Sequence, residues 1–188
     1  MVSIPARRVR RCLVLALTVL GVAAGMAAAS EAPSPYAGQD TRAIKALAPE
    51  AVEGYLAGRG MELAKAAELN GYPGPRHLLD LADRLHLTPE QRTAIKAAHA
   101  AMAQNAQRLG RAIVAAETEL DRVFASGKAQ GQDVDRLTGR IGALHGELRA
   151  VHLKAHLAVR GLLNDSLVAH YNTLRGYGGG MEPNRHRH

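Results

Sequence analysis

Across residues 95–162 the apolar positions recur at alternating spacings of four and three. Ile95, His99, Met102, Ala106, Leu109, Ile113, Ala116, Leu120 and Val123 form one such series. Val134, Leu137, Ile141, Leu144, Leu148, Val151, Ala155, Ala158 and Leu162 form a second. That alternation keeps every member on one stripe of a helix, which is a heptad seam. The first series predicts a long helix over 89–126. "ASGKAQGQ" (125–132) is the turn between the two, and Asp133 is placed to cap the second helix. Two matched seams joined by a short turn predict an antiparallel helical hairpin. Its arms run to about 45–55 Å, from the rise of an α-helix.

The start of the first long helix is marked by "LTPEQ" (87–91). Thr88 has a hydroxyl suited to the orphan N–H groups of the next turn. Pro89 sits where a missing N–H costs nothing. Gln91, three residues beyond the threonine, can reach back to its backbone. Leu87, Thr88 and Gln91 thus make up a capping motif, with Thr88 and Gln91 as the capping box. Upstream, residues 41–69 read as a first helical region. Pro49 is placed as an opening residue, and Gly54, Gly58 and Gly60 break the middle into bends or two pieces. "NGYPGP" (70–75) stops it. A short helix over about 75–86 carries Leu78, Leu81, Ala82 and Leu85 on one face. Beyond the hairpin, residues 162–177 restart a short helix with Asn164 or Asp165 as its cap.

The pattern therefore predicts an all-α fold: a long antiparallel helical hairpin plus shorter N-terminal helices, spanning residues 41–177. A bare hairpin is too thin to bury both of its sides. Residues 41–86 can cover one side, and a second copy of the chain can cover the other, which predicts a homodimer. A monomeric four-helix bundle is the alternative.

Composition changes the picture at the N-terminus. Arg7, Arg8, Arg10 and Arg11 precede the apolar run "CLVLALTVLGVAAGM" (12–26), and Ala27 and Ala29 offer a small-residue cleavage site before Ser30. This is the layout of a signal peptide over residues 1–29; left uncut, it would be a membrane anchor at the lower limit of spanning length. Residues 30–40 read as a flexible Pro/Gly/Ser linker and residues 178–188 as a disordered Gly/His tail. The formal charge of the whole chain is +7, and the four arginines of the leader account for more than half of it. The basic balance therefore gives little support to nucleic-acid binding, and aromatic residues for base stacking make up only 3%. Cys12 lies inside the leader, and the rest of the chain has no cysteine. Disulfides, thiol nucleophiles and Cys-ligated zinc are thereby excluded from the exported part.

The helix opened by Leu87-Thr88-x-x-Gln91, the blocks "GMELAKAAELNGYPGPRHLLDLADRL" (60–85) and "YNTLRGY" (171–177), and the order of elements resemble the LTxxQ superfamily. That superfamily includes the Spy/CpxP-type periplasmic chaperones, the zinc-resistance-associated proteins and the periplasmic heavy-metal sensors. The resemblance implies a curved, all-helical, periplasmic homodimer that binds non-native envelope proteins without ATP during envelope stress. A sensor kinase or an anti-sigma factor is the regulatory partner it would imply. Relatives carry two copies of the motif. The second would fall at 163–167 here, where Asn164 keeps a capping side chain but Leu167 replaces the glutamine.

Two constellations carry candidate chemistry. Arg108, Arg111, Arg122, Arg136, Arg140 and Arg149 lie off the seams, with leucine and alanine between them. Arginine can touch both charged and apolar parts of a non-native chain, which suits a client-binding surface. The competing reading is a solvated face paired locally with Glu117, Glu119, Asp121 and Glu147. Second, His152 and His156 are spaced i, i+4 on one helix face, and the hairpin register sets them level with His99 and Met102. These four donors form a candidate metal site for zinc (Zn2+), copper (Cu2+) or nickel (Ni2+), in keeping with a periplasmic heavy-metal sensor or resistance protein. His99 and Met102 also occupy seam positions, where they can be plain core. No P-loop, nucleophile elbow or cofactor fingerprint is present, so nothing marks an enzyme and no cofactor is required.

Overall fold

The computed structural model describes residues 33–177. The proposed leader (1–29) and the Gly/His tail (178–188) lie outside the described residues, as does the beginning of the linker. Among the described residues the regular structure is all helix: a 3-10 turn Gln39–Thr41, then α1 (Pro49–Leu56), α2 (Lys65–Glu68), α3 (Pro75–Asp80), α4 (Pro89–Ala125), α5 (Gly131–Arg160) and α6 (Asp165–Leu174). No helix among them is long and apolar enough to cross a membrane.

α4 and α5 are the hairpin, 37 and 30 residues long, or about 55 and 45 Å. Their seams meet as the spacing requires: Ile95, Ala106, Leu109, Ile113 and Ala116 of α4 are buried, with Leu137, Leu148 and Ala155 of α5. α1 packs on α4, α2 on α5, and α3 on both, so residues 49–80 cover one side of the hairpin. Gly110 makes the α1–α4 approach possible: a Cβ there would overlap the Tyr55 carbonyl. Two apolar clusters result. One gathers Leu78, Leu85, Leu87, Ile95, Val159, Leu163, Val168 and Tyr171 where the hairpin ends meet α3 and α6. The other joins Ala106, Leu109, Ile113 and Leu148 beneath Tyr55 and Leu63.

Four details depart from the sequence reading. Residues 42–48 are not helical. Instead the Lys45 backbone N–H and ammonium both bond the Asp121 carboxylate, at 3.2 Å each, tying that segment to the far end of α4. α3 ends at Asp80, and turns lead to His86 at φ 50°. Gln130 stands at the N-cap of α5 with no side-chain capping bond, and Asp133 lies within the first turn of the helix, 3.5 Å from Arg136. Finally, the α5 seam drifts. Ala158 and Leu162 are exposed, whereas His152, His156, Val159 and Leu163 are buried. A straight α-helix rotates about 20° per heptad relative to a 3.5 repeat, and α2 and α3 pack against the face that this rotation brings round.

Candidate functional site

The capping motif forms in full. The Gln91 N–H donates to the Thr88 hydroxyl at 3.2 Å, and the Thr88 N–H donates to the Gln91 side-chain oxygen at 3.1 Å. Leu87 is buried in the core beside it. The Gln91 amide also acts at a distance. Its Nε2 donates to the Leu162 carbonyl at 2.9 Å, where α5 ends. The second, altered copy of the motif caps α6. Asn164 accepts the Leu167 N–H at 2.9 Å, and Leu167 packs its apolar side chain on the core.

The structure divides the six arginines that mark a candidate binding surface. Arg136 and Arg140 both reach Glu119, at 3.0 and 3.4 Å. Arg108, Arg111, Arg122 and Arg149 are exposed, and each lacks an ion pair or side-chain hydrogen bond among the described residues. Arg92 and Arg160, also off the seams, instead bond backbone carbonyls at the hairpin's ends. A shallow groove of about 290 Å³ is lined by α4 and α5 alone: Ala98, Ala101, Asn105, Lys154, Ala155 and Ala158 are among its residues.

The four candidate metal donors share one cleft. His99, Met102, His152 and His156 all line one cleft of about 570 Å³, closed by residues 57–77 and bordered by Arg175 and Tyr177. His152 is 3% exposed, and its Nε2 is buried with no hydrogen-bond partner. Burial, then the neighbouring His156, lowers its pKa, so the ring stays neutral at neutral pH. His156 is held differently. Its Nδ1 lies 2.7 Å from the Tyr72 carbonyl. A carbonyl can only accept, so Nδ1 carries a proton. His145, two turns earlier on α5, packs edge-on against Tyr55 instead. Among the described residues no three His, Asp or Glu side chains are grouped to hold a metal ion.

At the cleft's edge Glu68 is buried among partners that sequence spacing does not bring together. The Tyr171 hydroxyl donates to its carboxylate. The Tyr177 hydroxyl does so at 3.1 Å, and the Gly74 N–H at 2.9 Å. His77 Nδ1 lies at 3.2 Å and Arg175 Nε at 3.6 Å. Burial opposes ionisation of Glu68, but the Tyr171 hydroxyl, His77, Tyr177 and the Gly74 amide outweigh it and hold the carboxyl below its ordinary range. This carboxylate knits residues 68–77 to the C-terminal helix. The signal for it in the sequence is faint: a single acid in the alanine-rich "AKAAELN", and two tyrosines flanking Arg175. Met61 also lines the cleft, and nothing local in the sequence distinguishes it from an exposed loop methionine.

A search of curated proteins and of solved structures finds no match to the chain. A family model does match: residues 76–174, which run from α3 through the capping motif and the hairpin to the end of α6, fit the LTXXQ motif family. With its motif, hairpin and restart covered by that match, the chain belongs to the LTXXQ motif family.

Proposed function

We propose that this protein is an ATP-independent, chaperone-like stress protein that holds non-native envelope proteins on the uncovered side of its hairpin, as a homodimer in the periplasm. Family membership supports the class: LTXXQ proteins are generally non-enzymatic chaperone or metal-resistance proteins and are typically periplasmic. One observation carries the reading to this chain. The short helices pack on the hairpin, and α4 and α5 by themselves line a groove whose residues include Ala98, Ala101, Ala155, Ala158 and Lys154. The same two helices carry four exposed arginines without ion-pair partners among the described residues. Weak contacts of mixed apolar and cationic character suit a holder that must also release.

The test is light scattering from an aggregating client at equimolar protein. Suppression that falls when Arg108, Arg111, Arg122 and Arg149 are together changed to glutamine supports the reading. No suppression by the wild type rejects it. Sedimentation velocity decides between dimer and monomer.

A second reading, a periplasmic heavy-metal-binding sensor or resistance protein, is favoured by a different observation. All four candidate donors share one cleft, and one of them, His152, has a buried nitrogen without a partner.

A further inference from the structure

The cleft is furnished with soft donors. His152 and His156 stand one turn apart on α5, Met102 lines the same cleft from α4, and Met61 lies on the segment that closes it. Both histidines carry the mark of a binding group. A buried nitrogen without a partner is costly, and the His152 Nε2 is such a nitrogen. The Nδ1–H of His156 is engaged by the Tyr72 carbonyl at 2.7 Å. Ligand histidines are commonly held this way, with one nitrogen tied to a carbonyl and the other free.

The segment that presents Met61 is strained. Met61 (φ 42°) and Glu62 (φ 62°) are both left-handed. Non-glycine residues held there are strained and cluster at ligand clamps. The Met61 sulfur lies over Gly54, where a Cβ would stand 2.7 Å from it. Glycine at that position gives the thioether its seat.

The donor set also discriminates between ions. Zinc in a closed site takes four N, O or S ligands, and the described residues contain no group of three His, Asp or Glu that could hold an ion. Glu68, the carboxylate at the cleft's edge, is already engaged by Tyr171, Tyr177, His77 and the Gly74 amide. What remains is a pair of imidazoles and two thioethers, and thioethers select copper(I).

We propose that the cleft is a copper(I) site, held by the imidazoles of His152 and His156 and the thioethers of Met102 and Met61. This rests on the metal reading above. Residues 57–75, which close the cleft and supply Met61, precede the stretch matched by the family model, so the site combines the shared hairpin with a segment outside that match.

The experiment is an anaerobic titration of the full chain with copper(I) against a chromophoric copper(I) chelator, paired with zinc(II) calorimetry. The expected result is one copper(I) per chain. Affinity should fall by about tenfold or more in Met61→Leu and in Met102→Leu, and binding should be lost in His152→Leu. X-ray absorption of the copper-loaded protein should show sulfur as well as nitrogen neighbours. Met61 is an exposed residue, so Met61→Leu should fold, and circular dichroism will verify it. An unchanged copper(I) affinity in folded Met61→Leu overturns the proposal. Zinc(II) bound as tightly as copper(I), with no effect of either methionine change, also overturns it while leaving the metal reading standing. Binding of neither ion overturns both.

Discussion

Gln91 and Leu162 lie 71 residues apart and meet through one hydrogen bond, from the Gln91 amide Nε2 to the Leu162 carbonyl at 2.9 Å. The same side chain accepts the Thr88 N–H with its oxygen. One residue thus starts α4 and fastens the end of α5 to it. The pairing explains why glutamine suits this position better than glutamate. Glutamate can cap, but only an amide can also donate.

Gln91→Glu is accordingly expected to keep the cap and lose the tether. The expected loss is about 1 kcal/mol, read from urea denaturation at neutral pH. Thr88→Ala should cost about the same through the cap. A wild-type midpoint for Gln91→Glu would show that the tether contributes nothing.

Gly110 and the exposed hairpin glycines should respond in opposite directions. A Cβ at Gly110 overlaps the Tyr55 carbonyl, so Gly110→Ala must push α1 off α4; overpacking of this kind costs about 1–3 kcal/mol. A Cβ at Gly139 or Gly146 meets nothing within 4 Å. Alanine there should stabilise by about 0.5–1 kcal/mol through helix propensity. Thermal melts of the three variants check both signs.

Glu68 should make the fold acid-sensitive. Its folded-state pKa is depressed, so it contributes stability that is fully present above its unfolded value of about 4.3. That contribution is lost as the pH falls through the lower folded value. Glu68→Gln should be less stable at pH 7 but lose less on acidification. Tyr171→Phe removes a hydroxyl donor to the carboxylate and should move the acid transition upward. Denaturation midpoints from pH 7 down to pH 3 would reveal either effect, and parallel curves for wild type and Glu68→Gln would refute the assignment.

His152→Leu should separate stability from binding. The substitution removes a buried nitrogen without a partner, and about 1 kcal/mol of stabilisation is expected from relieving it. The folded-state pKa of His152 is lowered by burial and by His156. The wild type should therefore lose stability as the pH falls below the unfolded value of about 6.5, and the leucine variant should lose less. A destabilised variant with unchanged pH dependence would mean that His152 is ordinary core.

Much of this fold is legible along the chain. The two heptad series, the capping box at Thr88 and Gln91, the asparagine cap at Asn164 and the break between the two pieces of the N-terminal region are local features. Each follows from side-chain periodicity, from the hydrogen-bonding reach of a short polar side chain, or from the backbone freedom of glycine and the restriction of proline. The hairpin register likewise follows from spacing, which by itself brings His99 and Met102 level with His152 and His156.

Tertiary structure decided everything that depends on which faces meet. Helix rotation and the packing of α2 and α3 on α5 moved burial from Ala158 and Leu162 to His152 and His156. Chain folding, and not spacing, put Glu68 within reach of Tyr171, at a separation of 103 residues, and carried Met61 to the cleft. The capping threonine is evident from its neighbours, but the carbonyl that its glutamine holds is not. A helix's own bonds span a few residues and leave a repeating mark in the sequence. A contact between distant segments depends on loop geometry and on the summed packing of the whole chain, and no local pattern records it.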